Sequence, residues 1–319
     1  MKIVVIGAYG HIGSYLVPRL VRAGHDVVCI SRGQSKPYTT DAAWKRIAHV
    51  SLDRSKESAA DFAKKIADMN ADVVVDLINF MLEDTRAMAD ALKGTRLSHY
   101  LFCSSIWAHG RATILPAQVG QPKAALDEYG SRKAACEAYL HDLHRREGFP
   151  ETVIMPGQIS GPGWLIINPY GNTNVAVFER ISRGERISLP NFGMETLHHV
   201  HADDVAQMFH LSIEHRSGAL GQSFHAVAEE SLTLYGYALA MYEYFNQPPN
   251  IDFLPWDAWC NDIDNPEEAE HTYFHIARSG HFSIENAKRL IGYRPKYTTR
   301  ETVEMSVQSY IDRGVIRIG

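Results

Sequence analysis

Residues 2–24, KIVVIGAYGHIGSYLVPRLVRAG, carry two different periodicities separated by three glycines. Lys2 to Ile6 is a short β-branched run that reads as a buried strand. SYLVPRLVRAG has apolar residues at helical spacing and stops at Gly24. Between them, Gly7, Gly10 and Gly13 permit a tight turn, a close backbone approach to a pyrophosphate, and tight packing of helix on strand. The helix N-terminus would face the phosphates with its unpaired amides and its dipole. Strand, glycine turn and helix in that order predict a dinucleotide-binding unit.

The same alternation continues downstream. Asp26 to Ile30 reads as a second strand, and the residue after such a strand chooses the cofactor: an acid accepts from the ribose hydroxyls of NAD, an arginine suits a 2′-phosphate. Ser31-Arg32-Gly33 stands there, so Arg32 tilts the expectation toward NADP over NAD, the alternative being an arginine stacked on the adenine. Ala48 to Leu52 is a third strand, and Asp53 after it is placed to accept from the adenine amino group. Ser55 to Met69 has helical character, then come a strand at Asp72 to Leu77 and a helix around Glu83 to Leu92. Strands at Tyr100 to Cys103, ending in Ser104 and Ser105, and at Thr152 to Met155 complete the pattern. The fold class is therefore α/β, a Rossmann-type doubly wound parallel sheet with a smaller C-terminal substrate lobe. Residues 1–160 and 196–228 are assigned to the nucleotide-binding domain, 161–195 and 229–319 to the lobe. Ligands on such sheets lie at the carboxyl ends of the strands, where the glycine turn, Arg32, Asp53 and Ser105 all fall.

Leu126 to Leu140, LDEYGSRKAACEAYL, reads as a helix with Tyr129 and Lys133 on one face. A phenol has a pKa of about 10, and a nearby ammonium favours its anion, so Lys133 is expected to bring Tyr129 toward neutrality. That would let Tyr129 trade protons with an alcohol. The bland reading is an ordinary surface pair on a helix.

Charge and cysteine usage exclude several classes. In 319 residues the net charge is −5, with no basic stripe for nucleic acid and no polybasic membrane patch, so a small-molecule partner is expected. The four cysteines, Cys29, Cys103, Cys136 and Cys260, have neither metal-ligand nor disulfide spacing. No run is long enough to span a bilayer, and the first apolar run lacks the features of a signal peptide, so the expected setting is soluble and cytoplasmic. His198, His199 and His201 alternate faces on a strand, with no thiol or carboxylate at ligand spacing, and no metal site is expected. Asp203 and Asp204 read as a helix cap with a favourable dipole contact.

Taken together, GAYGHIG, CSSIWAHG, EYGSRKAACE, MPGQISGPG, LHHVHADDVA and LIGYRPKYTTRE resemble, in order, the extended short-chain dehydrogenase/reductase family, the group of NAD-dependent epimerases and dehydratases. The resemblance implies that Ser105 orients the substrate oxygen, Tyr129 is the acid/base, and Lys133 tunes the tyrosine and holds the nicotinamide ribose. It implies cofactor contacts at Gly7, Tyr9, Gly10, His11, Ile12, Gly13, Ser31, Arg32, Asp53 and Leu77, as well as at Tyr129 and Lys133. Substrate contacts are implied at Ser105, Gln158, Asn172 and His201, along with a homodimer built through the tyrosine helix, where Ala134, Ala135 and Ala138 leave room for close approach.

Three departures narrow the implied chemistry. The 4,6-dehydratases of the family place Asp-Glu after the catalytic threonine, where Ile106 and Trp107 stand here. The arginine that holds a diphosphate, four residues before the motif histidine, is Leu197. The family's Arg-x-x-Asn becomes Met155 and Gln158, with Ser160 in place of the following tyrosine. The expected activity is NAD(P)-linked oxidation, reduction or epimerisation at a hydroxyl or carbonyl of a sugar-like or polyol molecule, with nucleotide-sugar epimerisation as the alternative. Ser-Arg-Gly after strand two and HFSIENAKRLIGYRP also resemble the plastid stem-loop RNA-binding branch, which gives a rival of another class, a non-catalytic nucleotide- or RNA-binding protein.

Overall fold

A computed structural model describes residues 1–34 and 36–318. Six strands follow the expected order: β1 (Lys2–Ile6), β2 (Asp26–Ser31), β3 (Ala48–Ser51), β4 (Val73–Asp76), β5 (His99–Cys103) and β6 (Glu151–Pro156). A seventh, Ser223–Ala226, was not foreseen, because SFHA is too short and polar to announce a buried strand. All pair parallel in the order Ser223–Ala226, β6, β5, β4, β1, β2, β3. The order reverses between β1 and β4, so a crevice opens at the C-terminal end of β1, where the glycine turn lies.

The helices α1 (His11–Arg22), α2 (Ala59–Ala67), α3 (Leu82–Leu92) and α4 (Glu128–Glu147) connect the strands. The helix expected over Ser55 to Met69 is split: a 3₁₀ turn at Arg54–Lys56 ends at Glu57, and Ser58 caps α2 by accepting from the Asp61 amide. A cap hydroxyl there satisfies an otherwise orphaned donor, which fixes the later start. At its other end α4 outruns the expectation by seven residues, since Leu143 is buried and only Gly148, at φ +69°, stops the helix.

Two apolar cores follow from this arrangement. One lies around the parallel sheet and also takes in Phe282, Ile284, Ala287, Ile291 and Tyr293 near the C-terminus. The other gathers Ile166, Phe178, Ile187, Leu197, Tyr237, Trp259 and Tyr310. Trp259, from the WDAW stretch, is fully buried and donates to the Ser188 carbonyl at 2.8 Å, a packing role.

The expected acid cap at residues 203–204 is different in the structure. His201 is the N-cap of helix Ala202–Glu214 and accepts from the Asp203 amide. Asp203 pairs with Arg19 at 2.8 Å, and Asp204 accepts from the Lys296 and Tyr297 amides at 2.7 and 3.1 Å. Burial pushes Asp204 up to about 6, opposed by those two amides, so it ties the C-terminal segment to the sheet domain.

Candidate active site

Three adjoining cavities of about 580, 330 and 310 Å³ run along the carboxyl ends of the strands. The first lies between the ends of β2 and β3, the second over the glycine turn and β4 to β5, the third toward residues 157–173 and His275. Trp164 borders all three.

The glycine turn is shaped for a phosphate ligand. Gly7 has φ +83°, and a Cβ on it would lie 2.8 Å from Ile78 Cγ2. A Cβ on Gly13 would lie 2.2 Å from the Ala8 carbonyl oxygen, so that glycine sets the helix-to-strand contact. Among the described residues no side chain caps α1, and its first turn holds no acid, so the opening amides are available to an anion. These residues fit a dinucleotide cofactor. Gly7, Gly10, His11, Ile12, Gly13 and Leu77 line the second cavity. Tyr9 and Ser31 line the first, where Tyr9 stacks on His49 at 5.2 Å and the Ser31 hydroxyl bonds the same imidazole at 2.9 Å.

Arg32 is exposed at the edge of the first cavity, close to Asp53. Asp53 Oδ1 already accepts from the Ser55 amide and hydroxyl at 3.1 and 2.7 Å, and those bonds hold its carboxyl below the usual range. The neighbouring Arg54 is committed elsewhere: its guanidinium lies 2.6 Å from the fully buried Asp76 and over the Phe62 ring.

Ser105, Tyr129 and Lys133 converge in the second cavity. Ser105 caps a 3₁₀ turn by accepting from the Trp107 amide at 3.2 Å. Tyr129 stands against Trp107 and Phe80, with ring centroids 5.9 and 6.1 Å away, and keeps 39% of its surface open. Lys133 is buried and donates to the Asn79 and Cys103 carbonyls, each at 2.6 Å. Ser104, the neighbouring hydroxyl, is buried in the same cavity with no hydrogen-bond partner among the described residues.

The expectation that Lys133 brings Tyr129 toward neutrality is not met. Burial pushes the phenol up to about 12, aided by Cys103 and Asp127 and opposed only by a hydrogen bond from Ser105. The physical reason is that the ammonium spends its donors on two carbonyls and lies 5.8 Å from the tyrosine ring centroid. Burial lowers the lysine itself.

Of the other substrate candidates, Gln158 borders the third cavity, with its Oε1 accepting from the His198 amide at 2.9 Å. Asn172 and His201 lie apart from all three cavities. Asn172 is fully buried and bonded to Asn168, Asn174 and Thr272, which makes it a brace for its loop. His201 is buried against Tyr297 at 4.2 Å in its capping role. His199 bonds the Ser160 hydroxyl at 2.8 Å, and no metal-ligand group of three occurs among the described residues. Sequence reasoning missed Phe80, Trp164, Leu165 and His275 as lining residues. A tryptophan in the Gly/Pro-rich run GPGW was the one readable signal, since such a loop cannot bury it by itself.

Comparisons with known proteins place these features in context. The model of the NAD dependent epimerase/dehydratase family matches residues 3–226. A chloroplast stem-loop binding protein of 41 kDa from Arabidopsis thaliana is 27% identical over 99% of this chain and 81% of its own. Among solved structures, the UDP-glucose 4-epimerase of Thermotoga maritima with UDP-glucose superposes with a TM-score of 0.73 at 18% identity, covering 99% of this chain and 100% of that one. The UDP-glucuronic acid 4-epimerase of Bacillus cereus, in complex with UDP-glucuronic acid and NAD, gives 0.74 at 16% identity over 98% and 100%. At those identities the likeness is one of fold.

Proposed function

The chain belongs to the NAD dependent epimerase/dehydratase family, and from that premise we propose that it oxidises, reduces or epimerises a hydroxyl- or carbonyl-bearing carbon of a sugar-like or polyol molecule. The observation that carries this reading is the meeting of Ser105, Tyr129 and Lys133 in the cavity that also holds the glycine turn. A bound nicotinamide would supply the acceptor or donor of hydride. In the reductive direction the phenol of Tyr129, held protonated by burial, gives its proton to the carbonyl oxygen. In the oxidative direction its phenolate takes the hydroxyl proton. Ser105 orients that oxygen, and Lys133 anchors the floor between β4 and β5 and presents a positive charge beside the ribose site. Residues 1–160 and 196–228 hold the cofactor in this reading, and 161–195 with 229–319 contribute the substrate side, apart from the stretch 282–293, whose apolar residues pack into the core of the sheet domain. Arg32 favours NADP. The four free thiols, three of them buried, support a reducing, cytoplasmic setting, and a homodimer through α4 is part of the same proposal.

Polyols and sugars offered with NAD and NADP test it. A net change in nicotinamide absorbance marks a dehydrogenase or reductase, and product with a constant signal marks an epimerase. Tyr129→Phe should lower turnover about 10³-fold and leave cofactor binding intact; undiminished turnover would remove the tyrosine from the mechanism.

The similarity to a stem-loop binding protein favours one second reading, capture of a folded nucleic acid. Salt-sensitive binding of a stem-loop without nicotinamide turnover would establish it over the first. The net charge of −5 weighs for the enzyme.

A further inference from the structure

We infer that the third cavity admits an uncharged polyhydroxylated ring, and that His275 is the side chain that recognises one of its hydroxyls. This rests on the assignment of that cavity to substrate. The lining is aromatic and neutral: Trp107 meets Tyr129 and His275 edge to face, at 5.9 and 5.1 Å, and Trp164, Leu165 and Ile167 complete the apolar wall. Among the described residues no Lys, Arg, Asp or Glu lines it.

Among the described residues, Arg278 alone of the three nearby cations has a carboxylate partner, and none of the three lines this cavity. Arg278 is 4% exposed, has its guanidinium carbon 3.9 Å from the Trp107 ring centroid, and lies 2.9 Å from Asp127. Arg111 donates to the Tyr273 hydroxyl at 3.1 Å, and Lys133 holds two carbonyls. A phosphate or carboxylate entering here would lose water with no cation in the lining to contact it, which is costly. Aromatic faces, by contrast, suit the C–H face of a sugar ring. A volume of about 310 Å³ lies at the small end of ligand pockets, about 300–1,000 Å³.

The polar handle follows from the tautomer of His275. Its Nδ1 lies 2.8 Å from the His271 carbonyl oxygen, which can only accept, so Nδ1 carries the proton and Nε2 presents a lone pair. Burial lowers the imidazole to about 4 and so keeps it neutral at physiological pH. A neutral acceptor selects a hydroxyl donor. Gln158, with Oε1 occupied by the His198 amide, offers the complementary NH₂ donor.

Calorimetry on Tyr129→Phe with NADP bound measures recognition apart from chemistry. The probes are free pentoses and hexoses, their aldonates, and their phosphate esters. The neutral sugars should bind, and the aldonates and esters about 100-fold more weakly. In the parent protein, His275→Leu should raise KM for the neutral substrate about tenfold with kcat and cofactor affinity little changed, and His275→Asn should restore part of the loss. Equal binding of the anions, absence of binding by every neutral sugar, or a KM unmoved by both variants would overturn the assignment. Neutral-sugar binding without turnover in the parent protein would instead sink the redox reading and leave this one standing.

Discussion

The indole of Trp164 lies flat on the imidazole of His11, with centroids 4.9 Å apart and planes 5° apart. His11 belongs to the glycine turn and Trp164 to the loop after strand Gln158–Ser160, so the stack joins what we propose to be the cofactor and substrate sides of the groove. His11 Nε2 is 3.0 Å from the Ser160 carbonyl oxygen and must donate to it, which leaves Nδ1 to accept from the Tyr38 hydroxyl. Because Trp164 borders all three cavities, Trp164→Ala should weaken cofactor and substrate together, each about fivefold, in line with a stacking contact of about 1 kcal/mol. Fluorescence titration with cofactor and steady-state KM measure the two effects; movement of one constant alone would break the link.

His141 supplies a pH dependence of stability. It stands between Glu151, 2.8 Å from Nδ1, and Ser223, 2.8 Å from Nε2, with Glu137 3.8 Å away. Burial opposes its charge, yet the hydrogen bonds and charges of Glu137 and Glu151 raise it from 6.5 to about 9. A raised folded value means the stabilisation is complete below the unfolded pKa of 6.5 and is lost as pH rises through about 9. The expected loss is at most about 3 kcal/mol, read by urea unfolding across that window. His141→Asn should flatten the curve there. Glu137, held at about 2 chiefly by His141 and Lys123 against burial, acts in the opposite sense, and its contribution fades as pH falls from about 4.5 through 2.

Gly13→Ala tests why the third glycine of the turn is a glycine. Its Cβ would meet the Ala8 backbone at 2.2 Å from the oxygen and 2.5 Å from the carbon, and backbone cannot swing aside as a side chain can. The cost is expected on the order of 3 kcal/mol, seen as a lower denaturation midpoint with cofactor absent. Gly24→Ala is the control of another kind: nothing lies within 4 Å, and only φ +83° resists it, so the loss should be about 1 kcal/mol.

These contrasts show what the sequence could and could not disclose. The periodicity of KIVVIG and the glycines after it encode local backbone demands, so the sheet and its crevice were legible from them. Tyr129 and Lys133 share a helix face by spacing alone and were legible too. The state of the phenol was not, because it depends on carbonyls of residues 79 and 103 that reach Lys133 only through the fold. His275 was invisible for a similar reason: it arrives on helix Pro266–Ile276, and nothing local distinguishes it from His271 one turn before. The family resemblance implies substrate contacts at Asn172 and His201, yet Asn172 braces its loop and His201 Nδ1 accepts in a helix cap.

In the proposed reading, the choice between NAD and NADP rests with Arg32. Two guanidiniums border the first cavity, and Arg54 is neutralised by Asp76 at 2.6 Å beneath the surface, which leaves Arg32 as the exposed one that the proposal assigns to a 2′-phosphate. Arg32→Asp should therefore lower the NADP-to-NAD ratio of kcat/KM about 100-fold, chiefly by weakening NADP through lost charge-assisted bonds and added repulsion. The parent ratio should also fall with ionic strength, because the arginine is open to solvent and screened by salt. Asp76→Asn acts on the other pair: it leaves Arg54 without its counter-charge and should cost about 3 kcal/mol of stability. A ratio unchanged by Arg32→Asp would place that side chain against the adenine face and leave the cofactor preference to the backbone around Ser31.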